Sequence, residues 1–191
     1  MEGLVERRIL PIAIERCEES PVVLLEGPRT VGKSTLLRTM AERLGGEVLD
    51  LDDLAVRAAV ARDPAMMIDG PRPVLIDEYQ HAPAVLDAIK ARLNRSSRPG
   101  QFILTGSARH ESLPRAAQAL TGRLQRLQVL PLSQAEIERS NSDLLASLLN
   151  EPEAPVISSA STTTRQDYVE RIVRGGFPLA LTARTTMARS R

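Results

Sequence analysis

Apolar residues recur along this chain in two rhythms, short continuous runs and helical stripes, and the two alternate as far as Leu130. Leu4, Val5, Ile9, Ile12 and Ile14, with charges between them, predict a short helix over 4–18. Pro21-Val22-Val23-Leu24-Leu25-Glu26 reads as a first strand, and Leu36, Leu37, Met40 and Leu44 form a helical stripe closed by Gly45-Gly46. Glu47–Leu51 is short and alternating, a second strand. Asp52-Asp53 then supply an N-cap for a helix through Val56, Ala59 and Val60 that stops before Pro64. Pro73-Val74-Leu75-Ile76-Asp77-Glu78 and Gln101–Ser107 are continuous runs of the kind found in buried parallel strands. Between them Ala84–Leu93 is an amphipathic helix with Pro83 near its first turn. A helix from about Ser112 to Leu120 leads to Gly122-Arg123 and a fifth strand, Leu124–Leu130. Strands alternating with helices predict an α/β fold of three layers, α/β/α, around a mostly parallel five-stranded sheet whose working edge lies at the strands' carboxyl ends.

From Pro131 the pattern changes. Ser133 and Glu136 have capping-box spacing ahead of an apolar run to Leu149, which predicts a small C-terminal helical appendage. Residues 150–165 shift to Pro, Ser, Thr and Ala and read as a flexible connector, helical patterning resumes over Gln166–Val173, and Leu179–Arg191 reads as frayed. The expected organisation is a main domain over 1–131 and a helical lid or linker segment over 132–191.

Candidate chemistry enters at Gly27-Pro28-Arg29-Thr30-Val31-Gly32-Lys33-Ser34-Thr35, between the first strand and the next helix. A glycine loop in that place turns backbone N–H groups toward phosphates, and the new helix adds partial positive charge. Gly27 and Gly32 permit the turn, Lys33 reaches the β- and γ-phosphates, and Ser34 offers a hydroxyl to Mg²⁺, a hard ion that prefers oxygen and keeps several waters. Asp77 and Glu78 end a buried strand, where one carboxylate can hold Mg²⁺ through water while its neighbour polarises an attacking water. Thr105 and Ser107 end the strand expected beside it, and either hydroxyl could position that water or feel the γ-phosphate. Arg123 reads in two ways: as an arginine finger directed at a neighbouring subunit's γ-phosphate, which would tie hydrolysis to a homo-oligomer, or as a helix-end arginine on last-turn carbonyls. His81 and His110 read as loop residues.

Composition narrows the partners. The formal charge is only +1, so no global field holds nucleic acid or an anionic membrane, and at 2% aromatic residues there is no platform for stacking single-stranded bases. Of the 25 basic residues only Lys33 and Lys90 are lysine, which makes Lys33 conspicuous, and Arg165, Arg171, Arg174, Arg184, Arg189 and Arg191 read mostly as a solvated face. Cys17 is the only cysteine, so no internal disulfide can form, and without a signal-like apolar run the expected setting is a reducing cytoplasm. No apolar stretch approaches the roughly 18 residues of a membrane span.

Several runs together carry a resemblance: Gly27–Leu36, Leu49-Asp50-Leu51-Asp52-Asp53, Asp63-Pro64, Val74-Leu75-Ile76-Asp77-Glu78-Tyr79-Gln80, Phe102–Ala108, Gly122-Arg123, Leu130-Pro131-Leu132-Ser133 and Gly175-Gly176-Phe177-Pro178. In these the chain resembles the AAA+ superfamily of P-loop ATPases, in particular a prokaryotic family in which the ATPase domain precedes a C-terminal domain of unknown function. The resemblance is strong over about 5–140. It implies a P-loop NTPase fold with strand order 5-1-4-3-2 and ATP as the nucleotide. It also implies Lys33 and Ser34 or Thr35 on phosphate and Mg²⁺, Asp77 on Mg²⁺, Glu78 as water activator, Ser107 or Thr105 as first sensor, and Arg123 as finger. Members of that family continue past the Gly175–Pro178 run into another domain, so a truncated chain lacking partner recognition is expected.

The function these readings favour is an ATP-binding and ATP-hydrolysing switch acting on a protein or nucleic-acid partner. Two competitors stand beside it: a small-molecule kinase, with residues 133–175 as its lid, and a non-hydrolysing regulatory module in which ATP only holds a shape. Glu78 directly after Asp77 suits water activation better than transfer to an acceptor.

Overall fold

A computed structural model describes residues 5–107, 118, 120–140, 148–150 and 162–182. The chain divides into two compact units, one spanning Arg7–Leu130 and the other taking Pro131–Arg191 with Met1–Glu6.

The first unit is built on five strands, β1 (Val22–Gly27), β2 (Val48–Asp50), β3 (Val74–Asp77), β4 (Phe102–Ser107) and β5 (Leu124–Gln128). They form one sheet in the order β2-β3-β4-β1-β5, and every neighbouring pair is parallel. This is the order 5-1-4-3-2 read from its other edge. Side chains of a strand alternate between faces, and here they divide cleanly. Val22, Leu24, Ile76, Phe102 and Leu104 join one core with Val60, Val85, Leu86, Ile89 and Leu93. Val23, Leu25, Leu75 and Ile103 join another with Leu10, Ala13, Cys17, Leu36, Leu37 and Met40. Helices α3 (Leu54–Arg62), α4 (Pro64–Met67) and α5 (Ala84–Arg95) belong to the first face, α1 (Ile9–Glu19) and α2 (Lys33–Leu44) to the second. Both faces are therefore covered, which is why β1, β3 and β4 read as unbroken apolar runs.

Details differ from the pattern-based expectation for local reasons. Helix α1 starts at Ile9 and buries Leu10, Ala13 and Cys17, while Ile12 stands 44% exposed, so the stripe is set by positions 10, 13 and 17. Burial pushes the Cys17 thiol up to about 11, in keeping with a packed group that has no chemistry. Helix α3 does end before Pro64, but Asp63 then accepts a hydrogen bond from the Met66 N–H and Pro64 opens a fresh turn, α4. Of the helix expected over about Ser112 to Leu120, only Gln118 and Leu120 are described.

In the second unit, Ser133 and Glu136 form the expected capping box, but the helix α6 they open (Gln134–Ile137) is one turn long, because Arg139 takes a left-handed φ of 53°. The expected continuation to Leu149 is thus interrupted, and 141–147 lie outside the described residues. Helix α7 (Arg165–Arg174) has a capping box of its own, with Thr164 and Asp167 exchanging bonds, so Thr164 and Arg165 belong to the helix and not to the connector. Within the expected flexible stretch, residues 151–161 also lie outside the described residues. A short helix α8 (Pro178–Thr182) occupies the start of the segment expected to fray. The Leu132 N–H donates to the Gly176 carbonyl at 2.8 Å, which joins the Leu130–Ser133 and Gly175–Pro178 runs. Among the described residues no helix is long and apolar enough to cross a membrane.

Candidate functional site

Because all strands are parallel, Gly27, Asp50, Asp77 and Ser107 end on one edge of the sheet. The loop from Gly27 to Lys33 leaves β1 there and enters α2. Val31 anchors it: its side chain is fully buried and its carbonyl accepts from Arg7 Nη1 at 3.0 Å. Pro28, Arg29 and Thr30 are exposed. Gly27 is required by a close approach, since a Cβ would lie 2.3 Å from the Val129 carbonyl oxygen. Gly32 supplies the N-cap of α2 with a φ of 97°. Among the described residues, the N–H groups of Arg29, Thr30, Val31, Gly32 and Lys33 donate to no protein acceptor. Unpaired amides at a helix N-terminus are what an anion needs.

Lys33 lies beneath this loop at 4% exposure, and its Nζ donates to the Gly27 carbonyl at 3.2 Å and the Pro28 carbonyl at 2.9 Å. Burial holds the ammonium below the ordinary lysine range and Arg29 adds to the effect, while the charges of Glu78 and Asp77 work against it. Those two carboxylates therefore share an electrostatic neighbourhood with Lys33. Ser34 is half-buried and Thr35 exposed in the first turn of α2.

The acidic strand tip is held by β4. The Thr105 hydroxyl, fully buried, donates to Asp77 Oδ1 and accepts from the Glu78 N–H at 3.0 Å, so its hydrogen is committed to Asp77. Ser107 pairs with Gly27 in the sheet register, beside the start of the loop. Glu78 adopts a left-handed φ of 53° and opens a 3₁₀ turn over Tyr79–His81. From that turn Gln80 Nε2 donates to Glu78 Oε2 and to Ser107 Oγ, the latter at 3.4 Å.

Lys33, Asp77, Glu78, Thr105 and Ser107 thus gather at one edge, and Arg123 does not join them. Its carbonyl accepts from the Val22 N–H at 3.1 Å, at the opposite end of β1, about 17 Å from Gly27 at the rise of a parallel strand. Its guanidinium donates to Asn94 Oδ1 at 2.7 Å. Within its own chain Arg123 cannot reach the loop. His81 lies 2.9 Å from Asp52 and His110 lies outside the described residues. Arg174 donates to Gln134 at 3.4 Å inside the second unit. Two contributors escaped the sequence reading: Arg7, which spans the Val31 carbonyl and, at 2.6 Å, the Leu130 carbonyl, and Gln80. Nothing in spacing marks Arg7, whereas Gln80 lay inside a recognised run without a role. No group of three or more His, Cys, Asp or Glu side chains is arranged to hold a metal among the described residues.

Comparison with known proteins bears on the family and the fold. A family model described as an AAA domain matches residues 19–138. Uncharacterized proteins of Mycobacterium tuberculosis and Mycobacterium bovis are each 30% identical over 144 residues, 74% of this chain but 32% of theirs, so the chain spans a minor part of those curated relatives. Among solved structures the fold is similar to a Walker-type ATPase of Pyrococcus abyssi, with a TM-score of 0.55 and 17% identity over 93% of this chain and 65% of that one. It is similar also to AMPPCP-bound DnaA of Aquifex aeolicus, with a TM-score of 0.54 and 14% identity over 94% and 61%. On this family match, which spans residues 19–138, the chain belongs to the AAA domain family of AAA+ P-loop ATPases.

Proposed function

We propose that the Arg7–Leu130 unit binds ATP with Mg²⁺ and hydrolyses it to ADP and phosphate, and that the cycle works as a switch on a protein or nucleic-acid partner in the cytoplasm. The observation that carries this reading is the cradle: amides from Arg29 to Lys33 that meet no acceptor among the described residues, around a buried ammonium that feels Asp77 and Glu78. The donor set fits Mg²⁺, since the Ser34 hydroxyl and the buried Asp77 carboxylate are few and hard, and this ion keeps several waters and phosphate oxygens as its remaining ligands. When bound, the ion offsets the charge of the phosphates. Lys33 exchanges its bonds to Gly27 and Pro28 for phosphate oxygens. A water attacks the γ-phosphorus, its proton passes to the Glu78 carboxylate, and the bond to the ADP oxygen breaks. With the Thr105 hydrogen committed to Asp77, Ser107 is the better placed sensor.

Proton linkage offers one check. Free Lys33 gives up its proton below the ordinary lysine value of 10.5, whereas bound phosphates favour the charged form, so binding takes up a proton on the alkaline side. ATP affinity is expected to decline with rising pH before that value is reached, with proton uptake visible by calorimetry in buffers of different ionisation enthalpy. An affinity flat up to that pH would speak against Lys33 as the phosphate ligand.

The overall test is phosphate release against protein concentration, with mass measured with and without ATP. Release without any acceptor, rising in specific activity with concentration, is expected if Arg123 acts on a neighbouring subunit, and mixing Glu78→Gln with Arg123→Ala chains should then restore some turnover. Release that requires an acceptor would indicate a kinase, and binding with no release a regulatory module.

A further inference from the structure

We propose that Gln80 is a positioning residue for Glu78, holding its carboxylate at the tip of β4 through one side-chain amide shared with Ser107. The proposal rests on the reading of Glu78 as the group that takes the proton of the attacking water. Three independent features converge on that amide. First, both acceptors of Gln80 Nε2 are site residues at the ends of two neighbouring strands, Glu78 Oε2 just after β3 and Ser107 Oγ at the close of β4. Second, its carbonyl oxygen is buried and has no hydrogen-bond partner among the described residues. A glutamine kept only for packing would turn to satisfy that oxygen. Here a turned amide would set carbonyl oxygen against carboxylate, so the charge on Glu78 fixes the donor side. Third, the backbone is shaped for the contact. The left-handed Glu78, uncommon for a residue with a side chain, curls the chain into the Tyr79–His81 turn and brings residue 80 back over residue 78. On β4, Gly106 leaves the space, since a Cβ there would lie 2.5 Å from Tyr79 Cε1 and 3.2 Å from Gln80 Oε1.

A carboxylate acts as a base only within hydrogen-bond reach of the proton it takes, and a glutamate side chain free to rotate is seldom there. Gln80 removes that freedom and makes no use of the phosphate loop. Its loss is therefore expected in kcat and not in KM.

The experiment compares the parent chain with Gln80→Ala, Gln80→Glu, Glu78→Gln and the Glu78→Gln/Gln80→Ala double variant, by steady-state hydrolysis, ATP calorimetry and thermal melting. Gln80→Ala is expected to lower kcat roughly 10- to 100-fold, the scale of a misplaced catalytic group, with KM and ATP affinity unchanged. Gln80→Glu, which keeps the volume but loses the N–H donors, should be no faster than Gln80→Ala and covers the case in which the smaller residue fails to fold. The double variant should be no slower than Glu78→Gln alone, because the two residues act as a unit. Parental or faster turnover in both Gln80 variants, or a Gln80→Ala loss that adds in full to that of Glu78→Gln, would overturn the proposal. A parental rate in Glu78→Gln would instead remove Glu78 as the base and the proposal with it. That outcome is distinct from a slow Glu78→Gln beside a parental Gln80→Ala, in which Gln80 alone fails.

Discussion

Lys33→Ala is expected to reduce ATP affinity by roughly 10²–10⁴-fold, the equivalent of two charge-assisted hydrogen bonds at about 1.5–3 kcal/mol each. The size of the effect follows from where the ammonium sits. It is already buried in the free protein, bonded to the Gly27 and Pro28 carbonyls, so a phosphate finds a cation that needs no further desolvation. Alanine leaves the amides of Arg29–Lys33 in place but removes the buried ammonium that the loop encloses. The cost therefore falls on binding itself. Calorimetry with ATP and Mg²⁺ measures it directly, alongside a melting curve to show that the sheet still folds. A parental dissociation constant would mean that the nucleotide is held elsewhere.

Glu78→Gln should behave in the opposite way, retaining ATP while slowing hydrolysis by roughly the 10²–10⁴-fold typical of a lost general base. The substitution preserves size, and its amide oxygen can still accept from Gln80 Nε2, so the turn over Tyr79–His81 has no reason to change. What is lost is the ability to take a proton from water. Single-turnover phosphate release with protein in excess isolates that step from product departure, and an unaltered rate would assign the proton to another group. Taken together, the two variants separate grip from chemistry: the first weakens occupancy, the second leaves a filled site that does not turn over.

Much of this was legible in advance, for identifiable reasons. Strands covered on both faces have no polar side to show, so β1, β3 and β4 stood out as apolar runs, and the phosphate loop and acidic tip could be read at their ends. Caps were equally clear at Asp53 and at Ser133, where a short polar side chain precedes an apolar helical pattern, whereas the Thr164 cap was hidden in a Ser/Thr-rich run that read as connector. The other misses share a cause, in that they depend on backbone angles or on distant chain segments. Left-handed conformations at Glu78 and Arg139 created the 3₁₀ turn and closed α6 after one turn, and neither residue type announces such a φ. Arg7 acts through the carbonyls of Val31 and Leu130, far along the chain, and Gln80 through the turn that the Glu78 angle opens. The distance between Arg123 and the loop in its own chain follows from the strand running in parallel, which puts a residue before β5 at the far edge.

Strand β4 runs between β1, which feeds the loop, and β3, which ends in Asp77, and each of its residues from Phe102 to Ser107 is buried. One strand's width on either side makes the gap between anion grip and acidic tip about 10 Å, a length set by backbone ladders and not by any side chain. The sheet is thus a ruler. Whatever moves when a nucleotide binds has to be carried by the turns and helices beyond the strand ends, because altering the ruler would mean shearing ladders on a middle strand that is buried along its whole length.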